Sequence, residues 1–237
     1  MTDIEYLKKY YNGNIDEAIK RLENGEPVQY IVGDVNFYGI DIKVNNNVLI
    51  PRFETEELVE NTIKLVKQNF NEPINILEIG TGSGCISIAL KKNLDCNITA
   101  TDISEKALDV AKLNAKNNNV DINFINTNIF DGVNDKFNLI ISNPPYISKD
   151  EKIMDIVYNN EPHLALFADN DGLYFYEQII KNLSKVVTNK FLIAFEIGES
   201  QADKIKKIIN ENLKDVNVIV KKDMQNRDRM IFIHNFE

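Results

Sequence analysis

Histidine and cysteine are scarce in this chain, two of each among 237 residues. Cys85 and Cys96 are too few for a disulfide framework and lack metal-ligand spacing, which points to a reducing compartment. With only His163 and His234, a histidine-rich metal site or a serine–histidine triad has little basis, and no metal is expected. Basic residues are outnumbered by acidic ones, 27 to 36, so the formal charge is −9 at pH 7 and the isoelectric point is near 4.9. Nucleic-acid binders normally carry a basic footprint, so direct nucleic-acid binding is not expected, although the short basic run at 204–207 could form a local patch. The opening Met1-Thr-Asp-Ile-Glu has neither the basic start nor the apolar core of a signal peptide. No apolar run approaches the roughly 18 residues of a membrane span. A cytoplasmic protein without membrane association is expected.

What is present is an alternation of apolar strands and amphipathic helices. Residues 3–24 read as one or two short helices, the second capped by Asn14 with Asp16 and Glu17 in its first turn. From Val28 to Leu49 the pattern becomes β-rich, broken by Gly33, Gly39 and the asparagines 45–47, and suggests a hairpin. A helix is expected over 54–70, with Val59, Ile63, Val66 and Phe70 on one face. Strands are expected at 74–79, 97–101, 122–125, 137–142, 191–197, 216–220 and 230–234, and helices at about 84–93, 104–117, 173–187 and 200–213. Ser104 reads as a cap, with Ile103 and Leu108 placed for a hydrophobic staple. Near-continuous Ile/Leu/Phe strands separated by helices predict an α/β fold with a mostly parallel sheet buried on both faces. The last two strands lack an intervening helix and predict an antiparallel pair at one edge. Two units follow: 1–50, short N-terminal helices and a hairpin that form a linker region, and 51–237, the α/β domain.

Two segments carry the chemistry. Gly80-Thr81-Gly82-Ser83-Gly84 follows the first core strand and opens a helix, letting backbone approach a ligand closely. Asp102 lies 22 residues beyond Gly80, at the end of the next strand, where a carboxylate can accept both ribose hydroxyls of a nucleoside. The pair would serve NAD, FAD or S-adenosylmethionine. The spacing G-x-G-x-G lacks the third position of the dinucleotide fingerprint, and Asn128-Ile129 after the third strand offers a polar edge and an apolar face for adenine; both favour S-adenosylmethionine. The second segment, Asn143-Pro144-Pro145-Tyr146, ends a buried strand in a stiff corner, since each proline fixes its own φ and extends its predecessor. It offers an amide oxygen, a carbonyl near Pro144 and an aromatic face, a set suited to a planar substrate bearing NH2. Arg52, Glu54 and Thr55 read as a flap beside the cofactor or as helix capping. Glu196, at the end of a core strand, reads as touching the site or as accepting the amides of the following turn, and residues 174–176 read as helix core.

The chain resembles the protein-(glutamine-N5) methyltransferases that modify peptide chain release factors, a Rossmann-like class I family. The resemblance rests on PVQYIVGDVNFYGIDIKV at 27–44, VLIPRFETEELVE at 48–60, LEIGTGSGCISIAL at 77–90, TDISEKALDVAKLNA at 101–115 and FNLIISNPPYI at 137–147, with EPHLAL, DGLYFY and FEIGESQ at 161–166, 171–176 and 195–201. It implies a seven-stranded, mostly parallel sheet with an antiparallel edge strand, and methyl transfer from S-adenosylmethionine to a glutamine N5 in the glycine-glycine-glutamine loop of a release factor. It also implies that residues 80–84 cradle the methionine part, Asp102 the ribose, and Asn128 with Ile129 the adenine. Asn143, Pro144, Pro145 and Tyr146 would grip the glutamine, with Asn143 also beside the cofactor. Asn-Pro-Pro-Tyr is shared with methyltransferases of exocyclic amines in DNA and RNA bases, which stands as the alternative activity. Two departures from the family are visible: Phe53 stands where proline is usual, and only 26 residues precede Pro27 where relatives carry a longer helical region.

Overall fold

A computed structural model of the chain describes residues 2–71 and 73–237; Met1 and Glu72, which fall inside the two expected units, lie outside the described residues. Helices α1 (Asp3–Tyr10), α2 (Ile15–Glu23) and α3 (Val28–Val32) open the chain. Thr2 and Glu5 form a reciprocal capping box on α1, and Asn14 Oδ1 accepts from the amides of Asp16 and Glu17 as expected. Leu7, Ala18, Val28 and Ile31 close a small core among the three. Residues 28–32, expected to be β-rich, are helical. Gly33 ends them at φ +85°, and burial of Val28, Tyr30 and Ile31 outweighs their β-propensity.

The expected hairpin forms from β1 (Asp34–Phe37) and β2 (Ile40–Lys43), turning at Tyr38-Gly39. Both turn residues have positive φ, +52° and +76°, the geometry that matches the twist of paired strands. Phe37 and Ile42 are buried in the main core, not in the small helical one. The buried Asn114 clamps the hairpin in place, its Oδ1 accepting from the Lys43 amide and its Nδ2 donating to the Lys43 carbonyl.

The remaining elements are α4 (Phe53–Asn69), β3 (Ile74–Ile79), α5 (Cys85–Asn93), β4 (Cys96–Asp102), α6 (Glu105–Asn117), β5 (Asn123–Asn126) and β6 (Phe137–Ser142). Then come the two-residue β7 (Ile147–Ser148), α7 (Asp155–Asn160), β8 (Phe167–Ala168), the tight turn α8 (Asp169–Gly172), α9 (Tyr174–Asn182), β9 (Val187–Glu196), α10 (Ala202–Asn212), β10 (Asn217–Lys222) and β11 (Asp228–His234). The seven-stranded sheet has the order β10-β11-β9-β6-β3-β4-β5, mostly parallel with antiparallel pairing at one edge. The reversed strand is β11, inserted between β9 and the outermost β10.

Successive residues of each central strand enter opposite cores. Ile76 and Leu139 pack with α4, α5 and the hairpin, while Leu77 and Ile140 pack with α9 and α10. Such strands tolerate truncation poorly on either face. Ile140→Ala is expected to lower stability by about 2–5 kcal/mol, read from denaturant unfolding. Ser104 caps α6 through the Ala107 amide. Ile103, however, is not stapled down on Leu108; it is 59% exposed. The lysines of the basic run face carboxylates, Lys204 with Asp171, Lys206 with Asp203 and Lys207 with Glu211, so they form no free cationic patch.

Candidate active site

Strand order reverses direction at β3, whose neighbours β4 and β6 carry the chain to opposite sides, and a cleft opens beyond the carboxyl ends of these strands. Gly80, Thr81, Gly82, Ser83, Asp102, Asn128, Ile129, Asn143, Pro144 and Pro145 all line it. Gly84 and Tyr146, expected in the same site, do not. Gly84 has φ +80°, and a Cβ there would meet Ala111 Cβ at 3.2 Å, so this glycine lets α5 and α6 approach. Tyr146 turns away from the cleft, its hydroxyl donating to Glu196 Oε1 at 3.4 Å.

The glycine loop is wired internally. The amides of Gly80 and Thr81 both donate to the Thr101 carbonyl, at 2.9 and 3.0 Å, and that of Gly84 donates to the Thr81 carbonyl. The Gly82 amide donates to Asp102 Oδ2 at 2.9 Å, while Asp102 Oδ1 accepts from the Ser104 amide at 2.8 Å. Asp102 therefore fixes the turn that leads into α6 and braces the loop while facing the cleft; burial holds its pKa above the usual carboxylate value. Glu78, which sequence reasoning did not single out, lies fully buried in the cleft wall. Its Oε2 accepts from the Thr81 hydroxyl at 2.7 Å and the Ser87 amide at 3.1 Å, so a carboxylate stands at the start of α5. Its Oε1 is buried with no partner among the described residues. Burial raises its pKa to about 7, against the pull of these donors. The one signal in the sequence was an acidic residue within the apolar run that ends β3.

On the far side, Ile129 adopts φ +54°, a strained conformation for a β-branched residue. Its carbonyl accepts from the buried Thr101 hydroxyl at 2.6 Å, which holds the turn. Asn128 is exposed beside it. Exposed Ile103 also lines the cleft, and so does Phe175, expected in the helix core; only Tyr176 of that trio is fully buried.

The proline corner is held from behind. Ser142 donates to the Ile79 carbonyl at 2.7 Å, joining the ends of β6 and β3. Asn143 Nδ2 donates to Thr55 Oγ1 at 3.2 Å, and Thr55 donates to Glu196 Oε2 at 2.6 Å. Glu196 thus receives side chains and not the amides of the next turn as expected; burial pushes its pKa up to about 7. The Tyr146 carbonyl accepts from Gln201 Nε2 at 2.9 Å.

Of the expected flap, Glu54 pairs with Arg227, Thr55 belongs to the corner network, and Arg52 pairs with the buried Glu161, which also accepts from the Ile50 amide. This ion pair ties the segment before α4 to the loop after α7, bounding one side of the cleft. Arg52→Ala would leave Glu161 buried with a single donor. An expected loss of about 1–3 kcal/mol would be read from thermal unfolding, with Arg52→Lys recovering part of it.

The sequence profile of the methyltransferase small domain matches residues 55–161. Release factor glutamine methyltransferases of Streptococcus pneumoniae and Flavobacterium psychrophilum are 40% and 43% identical to the chain, each over 92% of it and over 78% and 79% of their own lengths. Among solved structures, the protein-(glutamine-N5) methyltransferase (release factor-specific) from Alicyclobacillus acidocaldarius aligns with a TM-score of 0.50 at 26% identity, covering 81% of this chain and 98% of that one. Among the described residues no helix is long and apolar enough to cross a membrane.

Proposed function

Because the chain belongs to the release factor glutamine methyltransferase family, we propose that it transfers a methyl group from S-adenosylmethionine to the side-chain nitrogen of a glutamine in a release factor's glycine-glycine-glutamine loop, in the cytoplasm.

The cleft fits that cofactor better than a dinucleotide. A pyrophosphate would draw on amides of the loop and the helix start, but those of Gly80, Thr81, Gly82 and Gly84 in the loop and of Ser87 in the first turn of α5 are engaged within the protein. A carboxylate, Glu78, stands where the phosphates would lie, and its unpartnered Oε1 suits a cationic amino acid. Gly80 and Gly82 have open space where a Cβ would stand, room that a close-lying methionine part can use. Residues 80–83 with Glu78 would hold that part. Asp102 would take the ribose with its remaining lone pairs, and Asn128, Ile129 and Ile103 would border the adenine. When bound, S-adenosylmethionine supplies a methyl group on a positively charged sulfur, already activated for transfer.

What the chain must add is a nucleophile in the right place. A primary amide nitrogen is weakly nucleophilic because its lone pair is delocalised into the carbonyl. Two acceptors placed on its hydrogens orient the nitrogen and favour the pyramidal form. Asn143 Oδ1 is one, and the Pro144 carbonyl is the other. The single observation that carries this reading is the placement of Asn143, which lines the same cleft as Glu78 and Asp102 with its Nδ2 already engaged by Thr55. Tyr146 serves by supporting the corner from behind. The test is mass spectrometry of a release factor incubated with the enzyme and S-adenosylmethionine. One added methyl on the loop glutamine is expected. Labelling of DNA or RNA, with the release factor untouched, would overturn the reading.

A further inference from the structure

The amide of Asn143 has two ends of similar shape and opposite hydrogen-bonding sense, and only one of them suits a substrate NH2. Resting on the reading of Asn143 as the acceptor for the glutamine amide, we propose that Thr55 and Glu196 are a positioning pair that sets which end of Asn143 faces the cleft. Thr55 and Glu196 are 3% and 2% exposed, so neither has bulk water as a substitute partner. The contacts run in series: Asn143 Nδ2 to Thr55 Oγ1 at 3.2 Å, and Thr55 Oγ1 to Glu196 Oε2 at 2.6 Å.

A hydroxyl has one proton to give. Beside an ionised Glu196, Thr55 donates that proton to the carboxylate, and its oxygen toward Asn143 only accepts. The NH2 end of Asn143 must then face Thr55, and Oδ1 is turned to the substrate. When Glu196 is protonated on Oε2, the sense of the series can reverse. Glu196 donates to Thr55, Thr55 donates to Asn143 Oδ1, and the NH2 end faces the cleft, donor against donor.

The groups around Glu196 set where this reversal occurs. Burial raises its pKa, while the hydrogen bond from Thr55, the charge of Arg229 and the bond from Tyr146 lower it, and Glu54 raises it. Tyr176 donates to the Glu196 backbone carbonyl at 2.7 Å and leaves the carboxylate to the other partners. Arg229 is itself held by Asp223 and the Ile197 carbonyl. The balance lies at about pH 7, so the correct orientation is secured above neutrality and lost below it.

The test measures kcat on a release factor at saturating cofactor across the neutral range, with cofactor affinity and melting temperature checked for each variant. Wild type should lose rate as pH falls through about 7, and Glu196→Gln should lack that limb. Thr55→Val should lower kcat by about tenfold with cofactor affinity little changed, and Thr55→Ser should recover most of the loss. A Thr55→Val enzyme within about twofold of wild type, or an acid limb that persists in Glu196→Gln, would overturn the proposal. An independent arm follows the Asn143 side-chain NH2 signals by NMR without substrate, assigned by their loss in Asn143→Asp. They should shift with pH in wild type and not in Glu196→Gln; a flat titration in wild type sinks the pair. Should wild type transfer no methyl to a release factor, the functional reading fails, and this arm still decides the orientation question.

Discussion

Asn143→Ala is expected to slow methyl transfer by about 10²–10³-fold, the usual effect of removing one preorganised polar group at a reacting centre. Cofactor affinity should fall far less. The corner backbone does not depend on this side chain: Ser142 ties the strand end to β3, and Gln201 holds the Tyr146 carbonyl. The variant therefore separates orientation of the nucleophile from assembly of the cofactor pocket. Single-turnover transfer to a release factor, set beside calorimetric titration of S-adenosylmethionine, reads the two effects independently. Asn143→Asp makes the sharper comparison, because it keeps an acceptor in the cleft but places a second acceptor against Thr55, whose proton is already given to Glu196. It should recover little. A rate within about tenfold of wild type for Asn143→Ala would remove this residue from the reaction and leave the Pro144 carbonyl alone as a candidate.

The same residues show what a sequence discloses and what it hides. Gly80, Gly82, Asp102 and Asn143 were legible because each sits at or just beyond the carboxyl end of a strand expected from the sequence, where an open parallel sheet places its ligand. The sheet was legible for a related reason: strands buried on both faces must be apolar at nearly every position. The roles of Thr55, Glu196 and Asn114 were not, because their meaning lies in partners far along the chain; that of Glu78 was not, because its partners Thr81 and Ser87, though near in sequence, carry no pattern that announces a buried carboxylate. Thr55 and Glu196 are 141 residues apart, and Asn114 bridges Lys43 and Ser83. No local pattern announces such pairs. Tyr146 was misplaced for a different reason. The corner fixes the backbone direction, but whether the ring faces the cleft or the support behind it is decided by Glu196 and β9, which a motif does not contain. The helix at 28–32 was hidden by β-branched residues whose burial overrides their propensity.

Gly172→Ala should be among the most damaging single-methyl additions this fold can receive, although it lies outside every motif that carries the chemistry. The residue has φ +79°, and a Cβ there would stand 2.0 Å from the Tyr146 carbonyl oxygen and 2.7 Å from Gln201 Nε2. The nearer obstacle is backbone of the proline corner, so no rotamer change relieves it. Left-handed geometry costs a non-glycine residue about 1–2 kcal/mol. Overpacking adds about 1–3 kcal/mol, and the bond from Gln201 to the Tyr146 carbonyl is lost as well. Together these predict about 3 kcal/mol or more, a fall in melting temperature of roughly 6–12 °C for a domain of this size. Gly132→Ala is the control, with φ +76° and nothing within 4 Å of the added carbon; it should lose only the conformational part. At temperatures where Gly172→Ala is still folded, transfer should also be slow, because the carbonyl that must move belongs to the residue after Pro145 and drags the corner with it. If the two alanine variants melt within about 2 °C of each other, the corner yields easily, and its rigidity cannot be what presents acceptors to the substrate amide.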